Sequence, residues 1–144
     1  MNTTNPLIFL VDDDQDDQQL FSEALEATKL ESSILTFNNG VDLMANLHNP
    51  TTELPDLIFL DLNMPLMNGV ECLDDIKREP RFSDIHVVIY SGYFDEAEVK
   101  LLQSKGAAFY LQKPQSFKEL IFKIENCFSS LKNEATNIED FVIE

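Results

Sequence analysis

The sequence is poor in basic residues, cysteine and tryptophan. Ten Lys and Arg residues stand against 26 Asp and Glu residues, so the formal net charge is -16 and the pI is near 4.2. This charge argues against direct binding to a nucleic-acid backbone or to an anionic membrane surface. The two cysteines, Cys72 and Cys127, have neither metal-ligand spacing nor a CxxC arrangement. We interpret both as reduced thiols that are mostly buried.

Long apolar runs are absent as well. The apolar run at residues 7–11 is too short for the core of a signal peptide or for a membrane span, and the N-terminal MNTTNP has no basic residue. We therefore expect a cytoplasmic protein. With 144 residues, of which 44% are hydrophobic and 25% charged, the chain has the size and composition of one globular domain.

Short apolar runs alternate five times with segments of helical spacing. The runs predict strands at residues 7–11, 33–37, 57–60, 86–90 and 108–111. The helix predicted at residues 95–105 is expected to bury Ala97, Leu101 and Leu102. Strands and helices that alternate in this way predict a parallel sheet with helices on both faces. Right-handed crossovers then place the carboxyl ends of all five strands on one edge of the sheet.

The stretch at residues 57–69, LIFLDLNMPLMNG, has the clearest pattern in the chain. An apolar strand ends abruptly in Asp61, and the turn-forming residues Pro65 and Gly69 follow within eight positions. A carboxylate at the carboxyl end of a core strand lies where open α/β sheets hold their functional sites. Asp61 could equally cap the next turn or helix, and this stretch alone leaves both interpretations open.

Residues of complementary chemistry follow four of the predicted strands. They are Asp12, Asp13 and Asp14 after the first strand, Asp61 after the third, Ser91 after the fourth and Lys113 after the fifth. Clustered carboxylates repel one another, and Mg²⁺ resolves this because it accepts a few carboxylates and completes its shell with water and phosphoryl oxygens. A nearby ammonium and hydroxyl suit the oxygens of a transferring phosphoryl group. Each residue has an ordinary explanation as a cap, turn or surface group, but together they predict phosphoryl transfer to an aspartate.

This combination resembles the receiver domain of two-component response regulators. The family signature is an acidic pair after strand one, DxxMPxMxG around the acceptor, Ser or Thr after strand four, and Lys-Pro after strand five. The corresponding segments here are VDDD from Val11, DLNMPLMNG from Asp61, YSG from Tyr90 and QKP from Gln112. The resemblance covers residues 5–130. It implies a flavodoxin-like, doubly wound α/β fold with five parallel strands in the order 2-1-3-4-5 and five helices on both faces.

The resemblance implies roles at the acceptor and its metal. Asp61 is then the phosphorylated residue. Asp12, Asp13 and Asp61 bind Mg²⁺, or Mn²⁺ in its place, together with the backbone carbonyl of Asn63. Asp14 adds a third acid after the pair and is expected to point away from the metal.

The resemblance also implies which residues contact the phosphoryl group or respond to it. Lys113 contacts the acyl phosphate, and Ser91 bonds it in the active state. Tyr110 matches the aromatic residue that turns inward with Ser91, although it could also be a core aromatic. Asn63 and Tyr93 flank the path of the attacking water and are expected to tune the lifetime of the phosphorylated form. Two departures are small: Ser91 stands for the commoner Thr, and Gly92 for the usual Ala.

The expected function is that of a stand-alone response regulator rather than an enzyme. It would accept a phosphoryl group from a histidine kinase or a phosphotransfer protein, and would then switch the binding of an unknown downstream protein or relay the phosphate. A phosphatase of the haloacid dehalogenase type needs a second acid where Asn63 stands. An FMN protein needs a phosphate-binding first loop, which DDDQDD would repel. A receiver used only for docking would lack some of the residues that follow the strands, and here none of them is missing.

Residues 131–144 form an acidic tail in which we expect no output domain. A frayed end is the simplest expectation for this tail. Phe141, Val142 and Ile143 are unusually apolar for such an end, so the tail could instead extend the last helix or dock on a neighbour as a dimer arm. The oligomeric state is expected to be a monomer or a weak homodimer.

Overall fold

The computed structural model describes residues 5–131 and 138–143. The strands are β1 (Leu7–Val11), β2 (Ser33–Phe37), β3 (Leu57–Leu60), β4 (His86–Ser91), β5 (Phe109–Gln112) and β6 (Val142–Ile143). The helices are α1 (Gln15–Ala27), α2 (Gly40–His48), α3 (Gly69–Arg78), α4 (Glu96–Ser104), α5 (Phe117–Ser130) and the short α6 (Ile138–Phe141). A 3-10 turn at Pro80–Phe82 precedes β4.

All strands of the sheet are parallel, in the order β2-β1-β3-β4-β5-β6. The predicted order of the first five strands is confirmed. The predicted number of strands was one too low, because β6 adds to the free edge of β5. Two residues are too few for an alternating pattern to show in the sequence, so β6 gave no strand signal.

The sheet separates two apolar layers. On one face, α1 and α5 contribute Phe21, Ala24, Leu25, Leu120, Ile124 and Cys127. On the other face, α2, α3 and α4 contribute Leu43, Leu47, Cys72, Leu73, Ile76, Val99 and Leu102. Strands β1, β3 and β4 are buried on both faces, which explains why their sequences are continuous apolar runs. The predicted arrangement of helices on both faces of the sheet is confirmed.

The burial predicted for α4 is confirmed for Leu102 and was wrong for Ala97 and Leu101. Val99 and Leu102 face the core, whereas Ala97 is exposed and Leu101 is 49% exposed. The helix has only nine residues, and AEVKLL at residues 97–102 offers two apolar pairs at helical spacing, Ala97 with Leu101 and Val99 with Leu102. The core of the neighbouring layer, not the local sequence, selects between them.

The expectation of a frayed tail was wrong for residues 138–143. Phe141 is fully buried in the layer of α2, α3 and α4, while Ile143 is buried in the opposite layer. Helix α6 packs against α4, and β6 lies beside α5. The segment docks on its own chain because β5 otherwise presents an unpaired apolar edge. Within the described residues, none of the helices has the length and apolarity that a bilayer span requires.

Candidate functional site

The carboxyl edge of the sheet brings the predicted residues together through its backbone ladder. The backbone N–H of Asp61 donates to the carbonyl of Val11 at 3.0 Å, and that of Lys113 donates to the carbonyl of Ser91 at 2.7 Å. Residues directly after β3 and β5 are therefore held by the strands beside them. Because Val11 pairs with Leu60, Asp12 and Asp61 emerge side by side. The relative positions of these groups are fixed by the sheet and not by a flexible loop.

The ammonium of Lys113 lies among three carboxylates. Its Nζ is 2.8 Å from Asp12 Oδ2, 2.9 Å from Asp17 Oδ2 and 3.4 Å from Asp61 Oδ2. It also lies over the ring of Tyr90, 5.2 Å from the ring centroid. Burial lowers the pKa of Lys113, but hydrogen bonds and charges of the three carboxylates outweigh burial and raise this pKa overall. Lys113 is therefore a permanent cation in the site.

The two buried carboxylates are only partly compensated by that cation. Asp12 is 0% exposed and Asp61 is 6% exposed. Burial raises the pKa of both carboxyl groups, and Lys113 opposes the increase in each. Asp12 Oδ1 also accepts the backbone N–H of Asp14 at 2.9 Å. One ammonium shared by several carboxylates leaves an excess of negative charge at this edge.

Three carboxylates of the site are arranged as a metal centre requires. Oxygen atoms of Asp12, Asp13 and Asp61 all lie within 4.8 Å of one another, and Asp13 is exposed to solvent. A small set of hard oxygen ligands with one side open to water suits Mg²⁺ or Mn²⁺. Asp13 and Asn63 line one open cavity of about 380 Å³. The backbone N–H of Asn63 lies 3.4 Å from Asp61 Oδ1, so this residue adjoins the acceptor.

The loop after β3 depends on a close backbone approach. A Cβ atom at Gly69 would lie 2.3 Å from the carbonyl oxygen of Asp61 and 2.8 Å from the Cα of Leu62. Asn68 starts α3 with a capping box: it accepts the backbone N–H of Glu71, whose side chain accepts the backbone N–H of Asn68. Gly69 and this cap bring the start of α3 close to the backbone of Asp61 and Leu62.

The structure places Ser91 and Tyr110 beside each other, away from solvent. Ser91 is fully buried, and its Oγ accepts the backbone N–H of Tyr93 at 3.3 Å. Tyr110 is 1% exposed, and its hydroxyl donates to the carbonyl of Tyr93. Burial raises the pKa of Tyr110, while a hydrogen bond with Ser91 opposes that increase. The side chain of Tyr93 itself is 65% exposed.

Sequence reasoning missed one residue of the site, Asp17. Asp17 is an acid in the first turn of α1, and it is the second nearest carboxylate to Lys113. Asp14, the third acid of the loop, caps α1 by accepting the backbone N–H groups of Asp16 and Asp17. Asp17 reaches the site from the first turn of α1, so no strand end in the sequence marks it.

Known proteins resemble this chain along most of its length. The family described as "Response regulator receiver domain" matches residues 8–125. Response regulator Rcp1 of Synechocystis sp. is 30% identical over 128 residues, which cover 85% of this chain and 87% of that protein. DNA-binding transcriptional regulator NtrC of Salmonella typhimurium is 31% identical over 129 residues, which cover 89% of this chain but 26% of that protein.

Two solved structures share the fold. The Mn²⁺-bound form of response regulator Rcp1 superposes with a TM-score of 0.79 and 28% identity, covering 91% of this chain and 97% of that one. The phosphorylated cyanobacterial phytochrome response regulator RcpA gives a TM-score of 0.79 and 29% identity, covering 92% and 99%. The shared fold, the acidic edge and the family match lead to one conclusion: this chain belongs to the response regulator receiver domain family of two-component signalling.

Proposed function

We propose that the chain accepts a phosphoryl group on Asp61, from a phosphohistidine of a histidine kinase or phosphotransfer protein, in a Mg²⁺-dependent reaction. The observation that carries the proposal is the Asp61 carboxylate, which is buried at the carboxyl edge between the Lys113 ammonium and the acids Asp12 and Asp13. A nucleophilic oxygen, a fixed cation and a hard-metal ligand set are the groups that phosphoryl transfer requires.

The transfer step uses one carboxylate oxygen of Asp61 as the nucleophile. An O–P bond forms at this oxygen while the N–P bond of the phosphohistidine breaks, and the imidazole nitrogen keeps the electron pair of that bond. Lys113 lies 3.4 Å from Asp61 Oδ2, within reach of an oxygen of the incoming group. Burial is the larger effect and raises the pKa of Asp61, and the charge of Lys113 opposes it in favour of the ionised carboxylate, which is the nucleophile.

The residues present fit a divalent ion. The carboxylates of Asp12, Asp13 and Asp61 form a ligand set that suits Mg²⁺, since this ion binds a few carboxylates and keeps several waters. Their excess of negative charge also favours a cation. Asn63 would add its backbone carbonyl. When bound, Mg²⁺ supplies positive charge to the phosphoryl oxygens. Lys113 would remain paired with Asp12 and Asp17 beside it.

The signal would pass from Asp61 to the face formed by α4, β5 and α5. Ser91 would bond the phosphoryl group, and Tyr110 would hold the position that this bond favours. A change from about 1:99 to 99:1 in such a two-state element requires about 5.5 kcal/mol of preference for one state. The output would be the binding of a downstream protein or the relay of the phosphate. The cytoplasmic location and the monomeric or weakly dimeric state stay predictions.

Chemical trapping of the acyl phosphate tests the acceptor. Phosphoramidate, a small donor with an N–P bond, is incubated with the protein and Mg²⁺, and the product is reduced with borohydride. Peptide mapping should find the reduction product at position 61, and Asp61→Asn should abolish it. Asp16→Asn removes an acid of the same edge without removing the nucleophile and should keep the labelling at Asp61. Labelling at another carboxylate in the native chain would contradict the proposal.

Asn63 and Tyr93 are proposed to tune the lifetime of the phosphorylated form. Both residues are exposed to water, and they stand two positions after Asp61 and Ser91 in the chain. After removal of the donor, the dephosphorylation rates of Asn63→Ala and Tyr93→Ala are compared with the native rate. Val41→Ala, a change at an exposed apolar residue of α2, serves as the control. Unchanged rates in both test variants would overturn this part of the proposal.

A further inference from the structure

The segment that follows residue 137 lies against the residue expected to switch. In the register of the sheet, Val142 is the partner of Tyr110, and Ile143 is the partner of Leu111. Val142 packs against the same apolar layer that contains Tyr110 and Phe141. Neighbouring parallel strands are only about 4.8 Å apart. The outer side of the Tyr110 side chain is therefore bordered by β6 and not by solvent.

The Tyr110 side chain is also in contact with the loop after β4. Its hydroxyl donates to the carbonyl of Tyr93, and its ring meets the ring of Phe94 edge-on, with centroids 5.9 Å apart. Phe141 is fully buried in the layer that also holds Val99 and Leu102 of α4. Without β6, β5 would be the last strand of the sheet. The tyrosine ring could then rotate across that edge into water.

We propose that Phe141 and Val142 are positioning residues of the phosphorylation switch: docked on β5, they hold Tyr110 in the buried position that phosphorylation of Asp61 favours. The inference rests on the function proposed above, since it takes Asp61 as the acceptor and Tyr110 as the switch residue. The docked segment and the phosphoryl group then stabilise the same conformation from two sides of Tyr110.

Linkage makes this proposal quantitative. If docking of the segment favours the buried position of Tyr110 by a certain factor, a phosphoryl group must strengthen docking by the same factor. Couplings between two sites are commonly about 5-fold to 150-fold. Loss of docking should therefore weaken the binding of a phosphoryl analogue at Asp61, although β6 pairs with β5 and Asp61 follows β3.

The experiment uses the full chain and its three tyrosines. In the native protein, hydroxyl-radical footprinting should oxidise Tyr93, which is 65% exposed, and should spare Tyr90 and Tyr110, which are 3% and 1% exposed. Phe141→Ala should raise the oxidation of Tyr110 toward that of Tyr93. Tyr90 should stay protected, which shows that the domain remains folded. Phe141→Leu, which keeps most of the apolar volume, should restore the protection of Tyr110.

The second measurement is the uptake of beryllofluoride with Mg²⁺, followed by the fluorine NMR signal of the bound form. Phe141→Ala should raise the half-saturating concentration about 5-fold or more, and Phe141→Leu should lie near the native value. Phe122→Ala removes an exposed phenylalanine of α5, which is 58% exposed, and should change neither measurement. Reciprocally, beryllofluoride should slow hydrogen exchange of the β6 amides in the native chain.

The outcomes separate the two proposals. An exposed Tyr110 in Phe141→Ala with an unchanged half-saturating concentration overturns the coupling while leaving Asp61 as the acceptor. A protected Tyr110 in that variant overturns the positioning role directly. A native chain that takes up no beryllofluoride overturns the proposed function. The oxidation of Tyr110 in Phe141→Ala then reports only whether the segment covers Tyr110, without a link to phosphorylation. Both expected shifts, with rescue by Phe141→Leu, support the proposal.

Discussion

Two regions on either side of Tyr110 are held by different forces. At the carboxyl edge, Asp12 and Asp61 are buried around the ammonium of Lys113, so this region depends on the balance of charges. At the edge of β5, Phe141 and its neighbours are buried by apolar packing, so this region depends on side-chain volume. The charged region has excess negative charge and can receive a cation, whereas the apolar region contains none of these carboxylates. Changes that affect one region only can therefore be distinguished from changes that affect both.

The largest loss of stability is expected for Gly69→Ala, at the close backbone approach in the charged region. Gly69→Ala would place a methyl group 2.3 Å from the carbonyl oxygen of Asp61, and neither backbone segment can yield without moving the acceptor. We expect a loss of about 3 kcal/mol in the free energy of unfolding, as for severe overpacking. Urea denaturation measures it.

Gly92→Ala is the matched control in the same region. A Cβ atom there would meet only Lys113 Cδ at 4.0 Å, so its unfolding free energy should stay within about 0.5 kcal/mol of the native value. Equal losses for the two glycine variants would show that the close approach at Gly69 does not constrain the site.

A somewhat smaller effect is expected in the apolar region. Phe141→Ala should lower the free energy of unfolding by about 2 kcal/mol, less than the roughly 3–5 kcal/mol of an interior phenylalanine, because the terminal segment can undock before the domain unfolds. The loss should be the same with and without Mg²⁺, since this region contains none of the carboxylates of the metal centre. If Mg²⁺ abolished the loss of stability in Phe141→Ala, the two regions would not be independent.

Mg²⁺ should act on the charged region alone. At ten times its dissociation constant, the ion should raise the free energy of unfolding by about 1.4 kcal/mol. Asp13→Asn should lose most of this gain, because it removes one of three clustered carboxylates. Thermal denaturation with and without Mg²⁺ measures the gain.

Two variants serve as controls for the effect of Mg²⁺. Asp16→Asn changes an acid that is outside the cluster, and Phe141→Ala changes the apolar region. Both should keep the gain. If Asp16→Asn lost as much as Asp13→Asn, the effect of Mg²⁺ would be general screening of charge and not binding at the site.

The smallest effect concerns the two thiols. Burial raises the pKa of Cys72 and of Cys127 to about 12, so at pH 8 only about one thiol in ten thousand is ionised. A thiol reagent should therefore modify neither cysteine until urea unfolds the domain. Rapid modification of the native chain at pH 8 would show that the apolar layers open more easily than their burial indicates.

The charged region could be predicted from the sequence because of where its residues stand. Asp12 and Asp61 directly follow a short apolar run, and Lys113 follows one after a single residue, Gln112. Parallel strands bring such positions to one edge of the sheet. The positions of strand ends could not predict a site residue that lies on a helix. Asp17 reaches Lys113 only because Asp14 fixes the first turn of α1.

The apolar region could not be predicted in the same way. Strand β6 has two residues, and its partner Leu111 lies far away along the chain, so no local pattern marks the pairing. The burial of Leu101 in α4 was predicted wrongly for a related reason, since Val99 and Leu101 are both apolar and only the packed layer selects Val99. Local patterns predict which residues end a strand, whereas the docking of a terminal segment depends on the edge that the finished sheet leaves open.

The most direct test of the central claim is the intact mass of the protein after incubation with acetyl phosphate and Mg²⁺, with Asp61→Ala beside the native chain. The claim predicts a gain of one phosphoryl group in the native chain, dependent on Mg²⁺ and absent from the variant. No gain in a folded native chain, or an equal gain in Asp61→Ala, would contradict it.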